Sequence, residues 1–132
     1  MPLRRPSRRC HGVRVERSLQ RKICVDGSLM KEFVLSDPLS PDLAGYLRNF
    51  GEVEILTLHG KQFLSFESPR FISVKGVIGE ESVEVRYAPG VHDLAPDLFH
   101  LFLYHYSNGK ETGKMREILA ALEGKIRPPM GC

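Results

Sequence analysis

Cysteine is scarce, long apolar runs are missing, and no aromatic residue precedes Phe33. The three cysteines, Cys10, Cys24 and Cys132, are too few and too scattered for a disulfide framework, and none forms a C-x-x-C pair. A reducing, cytoplasmic setting is the expectation that follows. No stretch approaches the roughly 18 apolar residues that a membrane-spanning helix requires, so a helical integral membrane protein is excluded. Residues 1–22 carry positive charge without an apolar segment behind it, which is not the pattern of a secretory signal. There is no G-x-S-x-G, H-E-x-x-H or dinucleotide-binding glycine pattern, and no internal repeat.

What the 132 residues do contain is ordinary globular material, 42% hydrophobic, 27% charged and 8% aromatic. A chain of this size forms one domain and buries about 65–70% of the surface its unfolded form exposes. The net charge of +3 conceals a division. Residues 1–29 hold eight basic residues against Glu16 and Asp26, whereas residues 30–132 hold eleven basic against fourteen acidic. The basic segment also uses seven arginines to one lysine, against five to six in the remainder. It lacks a sustained apolar period and reads as a disordered tail. Three readings of it stand side by side: a native start at Met30, a bystander terminus, and a working arm. In the last, Arg4, Arg5, Arg8, Arg9, Arg14 and Arg17 would bind nucleic acid, because arginine forks fit phosphate and each neutralised phosphate releases counterions. Aromatic residues for base stacking do not accompany them.

A single α+β domain is expected over residues 30–126, followed by a short tail at 127–132. Residues 31–36 are apolar and β-favouring and stop at Asp37-Pro38, giving a first strand. Ser40-Pro41-Asp42 supplies an N-cap hydroxyl, a proline at the first helical position and an acid in the first turn. Leu43, Tyr46, Leu47 and Phe50 then follow at helical spacing. Gly45 lies inside this helix, where its expected role is to let the helix approach the sheet.

The period switches to two after Glu52, giving strands over 53–58, 62–67, 70–78 and 82–87 with hairpin-length connectors. Residues 97–106 are almost continuously apolar, and Pro96, the length and Asn108-Gly109 favour a buried helix over a strand. A last helix from Gly113 has Thr112 as its expected cap and Met115, Ile118, Leu119 and Leu122 on one face. The order β-α-β-β-β-β-α-α predicts a two-layer α/β sandwich, with a mainly antiparallel sheet of about five strands and helices on one face.

Three constellations carry candidate chemistry. Gly109-Lys110-Glu111-Thr112-Gly113-Lys114 resembles a phosphate-binding loop only loosely, since three residues rather than four separate the glycines and Met115 follows the lysine. His92, Asp93, Asp97 and His100 would offer two oxygens and a nitrogen to a metal if one helix ran through Asp93, Asp97 and His100. Phe63, Phe71 and Val77 fall on the face of the sheet that should be wet, which marks that face as a surface for another protein or a second copy. The acids Glu52, Glu54, Glu80, Glu81 and Glu84 read as solvated groups that discourage edge pairing. The leading expectation is a non-enzymatic module, without cofactor or membrane attachment, that binds a protein partner or itself through the sheet. The alternatives are a nucleic-acid-associated protein using the arginines, and a small metal-dependent protein or enzyme at His92, Asp93, Asp97 and His100.

Overall fold

The structure, a computed structural model, describes residues 12–126. The elements are β1 (Val15–Ile23), β2 (Leu29–Leu35), α1 (Pro41–Leu47), β3 (Glu52–Leu58), β4 (Lys61–Ser68), β5 (Ile72–Val77), β6 (Ser82–Tyr87), α2 (Val91–Leu94), α3 (Leu98–Ser107) and α4 (Gly113–Lys125). All six strands join one sheet in the order β1-β2-β6-β5-β4-β3, and every neighbouring pair is antiparallel. The fold is therefore α+β with a mainly antiparallel sheet, as expected, but with one strand more than expected.

The extra strand is β1, from a segment assigned on sequence to the tail. The expectation of a disordered segment fails over residues 15–23, because the signal that mattered was a turn and not apolar periodicity. Asp26-Gly27 closes a hairpin between β1 and β2: Gly27 takes a φ of +90°, and the Asp26 carboxylate accepts from both the Ser28 amide and the Ser28 hydroxyl at 2.9 and 2.7 Å. Upstream, Val13 is buried and its amide donates to the Ser107 hydroxyl at 2.8 Å. The Arg14 carbonyl accepts from the Ser36 amide, and the Arg14 amide donates to the Ser36 hydroxyl. Met30 lies inside β2. Arg4, Arg5, Arg8 and Arg9, with Cys10 and the segment 127–132, lie outside the described residues.

The helices cover one face of the sheet. Alternate residues point to it from every inner strand: Phe33, Val85, Val74 and Phe66 are buried there against Leu43, Leu47, Phe99 and Phe102. Phe33 stacks on Phe99 with ring centroids 5.6 Å apart, and Phe102 meets Phe50 and Phe66 edge-on. Each such pair contributes roughly 0.5–1.5 kcal/mol beyond the area it buries. Residues 98–107 are helical, as the length and stop signals predicted.

Two local expectations fail on geometry. Gly45 is exposed and a Cβ there would meet nothing within 4 Å, so it does not mediate close packing of α1. Thr112 makes no side-chain cap; the Glu111 carboxylate accepts from the Gly113 and Lys114 amides instead. The Ser40 cap holds, its hydroxyl accepting from the Leu43 amide at 3.1 Å.

Candidate functional site

Strand alternation sends the remaining side chains to the face that the helices do not cover. Register then arranges them in cross-strand rows, because directly opposed residues of antiparallel strands lie on the same side. One row is apolar: Leu56 faces Phe63, and Phe63 faces Val77. Leu56 is 62% exposed and Phe63 39%, with Val77 half-buried between its neighbours. The next row is polar, running Glu54, Ser65, Lys75, Glu84, Glu32, with the base Lys75 among three acids. Between the two rows lies a shallow depression of about 370 Å³ lined by Leu56, Phe63 and Val77, with Glu54, Lys75 and Glu84 at its rim. Because α3 packs on the opposite face through Phe99 and Phe102, it leaves this row uncovered.

Of the three residues expected on this face, Phe63 and Val77 are brought together by register, and Leu56 joins them. Phe71 is not part of the group. It follows the turn residue Arg70, which has a φ of +77°, and is buried in the core with 8% of its surface exposed, its carbonyl accepting from the Ala88 amide. Alternation counted from Arg70 as a strand residue put it on the wrong side, since β5 begins only at Ile72.

The apolar row ends at an open strand edge. His59 and Gly60 both adopt left-handed φ, +53° and +78°, the geometry of a two-residue hairpin turn. Such a turn makes Leu58 and Lys61 the closing hydrogen-bonded pair, and alternation makes Leu56–Phe63 and Glu54–Ser65 the next two. The backbone groups of Val53, Ile55 and Thr57 therefore point away from β4. Two bonds agree with this phase: the Gln62 carbonyl faces β5, accepting from the Ile78 amide at 2.9 Å, and the Val53 carbonyl accepts from the Arg48 guanidinium at 3.4 Å.

The metal constellation does not assemble. His92 and Asp93 belong to α2, which ends at Leu94, and the non-helical Ala95, with φ -145° and ψ 72°, separates it from α3, which begins at Leu98. Asp93, Asp97 and His100 thus do not share a helix face. His92 lies edge-on to Tyr87 at 5.0 Å, and His100 edge-on to Phe33 at 5.4 Å. Among the described residues no group of three or more His, Cys, Asp or Glu side chains is placed to hold a metal ion. Partial burial of the His100 ring lowers its pKa, with Lys31 adding to the effect and Asp97 opposing it.

In the glycine-bearing loop, the two amides that begin α4 already bond the Glu111 carboxylate, and the Lys110 ammonium pairs with Asp42 at 2.8 Å. Those two amides and the Lys110 ammonium are thus already engaged within the loop and its neighbour Asp42. Asp42 also accepts from the Tyr106 hydroxyl at 2.7 Å, and the two bonds hold its carboxyl below its ordinary pKa, the Lys110 bond counting most. Of the arginines expected to bind nucleic acid, Arg14 pairs with Glu16 at 3.1 Å and Arg17 sits in β1 opposite Val34. No helix among the described residues is long and apolar enough to cross a membrane. The chain matches no family model, no curated protein and no solved structure.

Proposed function

We propose that this protein is a protein-binding module that works through the uncovered face of its sheet and acts by association, not catalysis. The observation that carries the reading is the exposed row of Leu56, Phe63 and Val77 on the face opposite the helices. An exposed contiguous apolar row rimmed by charges of both signs has the make-up of an interface: an apolar centre to exclude water and a polar rim to set orientation. Phe63 is the anchor, since a large aromatic at the middle of such a row contributes most of the area that binding would desolvate.

The test is photo-cross-linking in living cells, with a benzophenone amino acid at position 63 of the full chain and a control at Glu123, on the helical side. Adducts from position 63 and none from position 123 are expected, and mass spectrometry then identifies what was captured. Equal labelling from both positions, or none from either, would overturn the reading.

A further inference from the structure

From the edge geometry of β3, and resting on the protein-binding reading above, we infer that the partner is a second copy of this chain, joined edge to edge through antiparallel pairing of the two β3 strands about a two-fold axis at Leu56. The inference starts from what the edge leaves unpaired among the described residues. Val53, Ile55 and Thr57 direct their backbone groups outward, and the Val53 carbonyl is engaged by Arg48. Ile55 and Thr57 therefore hold the donors and acceptors that a further strand would use. A strand added to a sheet edge gains its main-chain bonds from such groups and its specificity from the side chains that face one another.

The sequence of β3, Glu-Val-Glu-Ile-Leu-Thr-Leu, restricts which two-fold registers are workable. An axis at Glu54 sets that carboxylate against its own copy, a like-charge pair that opposes association. An axis at Ile55 brings Thr57 opposite Val53, whose carbonyl already accepts from Arg48. An axis at Thr57 brings Ile55 opposite His59, where the left-handed turn at φ +53° has ended the strand. The axis at Leu56 meets none of these obstacles. It sets Ile55 opposite Thr57 of the second copy, and Thr57 opposite Ile55, so that both open residues of each chain bond in both directions.

The same register solves the side-chain problem. Leu56 meets Leu56 of the second copy across the axis, as a non-hydrogen-bonded pair whose Cα atoms approach to about 4.5 Å. Each leucine already adjoins Phe63, and each Phe63 adjoins Val77, so the two short rows fuse into one apolar row across the joined sheets. Glu54 falls opposite Leu58 of the second copy, beside which Lys61 stands in β4. Acid therefore approaches base on both sides of the axis. A two-fold pairing of this kind closes on itself and leaves only the two β1 edges exposed.

The experiment is mass in solution over a hundredfold concentration range for the full chain and for Thr57→Pro and Leu56→Glu. The Thr57 amide faces away from β4, so proline there removes a bond of the interface without removing one from the β3–β4 ladder. Wild type is expected at twice the chain mass and both variants at the chain mass, with unfolding transitions that stay cooperative. A register-specific measurement stands beside it. In a chain whose three cysteines are replaced by serine, Leu56→Cys is expected to oxidise to a cross-linked dimer, since a Cα separation of about 4.5 Å lies within disulfide range. Leu58→Cys, which would face Glu54, is expected to stay reduced.

Wild type at the chain mass throughout overturns the inference. So does Thr57→Pro, folded, at twice the chain mass, or Leu58→Cys cross-linking as fast as Leu56→Cys. If Phe63→Glu dissociates the dimer while Thr57→Pro does not, the copies stack face to face: the edge pairing is then wrong and the protein-binding reading stands. Capture of a different protein from position 63 by a chain that remains single has the same consequence.

Discussion

The two edges of the sheet are finished in opposite ways. Strand β1 runs nine residues, with register shifts between Val15 and Arg17 and again between Ser18 and Gln20, and it carries Arg17 and Lys22 among its exposed positions. Strand β3 runs seven residues in unbroken register and ends in Leu56-Thr57-Leu58, with its acids confined to Glu52 and Glu54. Bulges and charge spoil a strand as a template, because the next strand finds neither evenly spaced bonds nor a neutral surface. A regular edge with an apolar end does the reverse. The same sheet thus presents one irregular, charged edge and one regular edge, and in the two-fold pairing inferred above the acids of β3 select the register.

The largest effect comes from removing the resistant edge. Deleting residues 1–29 would strip β1 from β2, remove buried Val13 and Leu29, and turn the regular, apolar β2 into a second open edge. Loss of a cooperative unfolding transition and growth of high-mass aggregate are expected, read by calorimetry and light scattering. A truncated chain that melts cooperatively at the wild-type temperature would show β1 to be an accessory to the fold. Next comes the contrast between the two phenylalanines once expected on one surface. Phe71→Glu places a charge in the core and is expected to cost about 3–5 kcal/mol, whereas Phe63→Glu, which loses only its cross-strand contacts with Leu56 and Val77, is expected to cost about 0.5–1.5 kcal/mol. Urea denaturation of the two variants separates the covered side from the open side directly.

How much of this was legible in the sequence depended on which physical signal each element leaves. The α1 helix announced itself through Ser40-Pro41-Asp42, and the cap bond forms as that pattern demands. The meander from β3 to β6 followed from period-two alternation. Strand β1 left no such signal, because its edge position lets Glu16, Arg17, Ser18 and Leu19 all remain exposed, and only Asp26-Gly27 betrayed the hairpin. At the candidate site, alternation was enough to find Phe63 and Val77. Leu56 lies in the apolar stretch Ile55-Leu56-Thr57-Leu58, but its place beside Phe63 required the register, and the register required the turn at His59-Gly60. The position of Phe71 depended on one left-handed residue, Arg70, which no residue-type preference would forecast.

Smaller effects sharpen the β3 side. The Arg48 guanidinium follows α1 directly and reaches the Val53 carbonyl at 3.4 Å, so Arg48→Ala is expected to cost no more than about 1 kcal/mol of stability. By freeing Val53 it should also relax the register, lowering the cross-linking preference of Leu56→Cys over neighbouring positions. Gly45→Ala has the opposite sign. The site is exposed and a methyl group there meets nothing within 4 Å, so the variant should gain roughly 0.5–1 kcal/mol from helix propensity. Chemical denaturation measures both; a destabilised Gly45→Ala would mean that α1 is held by more than its buried face.

The smallest effect tests the β1 side, where pH should act and where β3 should be indifferent. His100 on α3 borders the groove formed with Val13 and Val15, and partial burial of its ring lowers its pKa below the ordinary value of 6.5. The unfolded chain therefore binds the proton more readily than the folded one. Stability from this group is complete above the unfolded value, falls as pH drops through it, and levels off once the folded form also takes the proton. Because the histidine is partly solvated, the change is a modest slope in melting temperature between about pH 7 and pH 5. His100→Gln should flatten that slope. The carboxyl of Asp42 does not interfere, since it is held below its ordinary value of 3.8 and titrates at lower pH. The mass in solution of the wild type should hold constant over the same window, because the Leu56 row and the Ile55 and Thr57 backbone carry no titratable group and His59, the one histidine at this edge among the described residues, lies in the turn beyond them. A slope that persists in His100→Gln would move the pH response to another group, and a mass that tracks it would couple the two edges that their construction keeps apart.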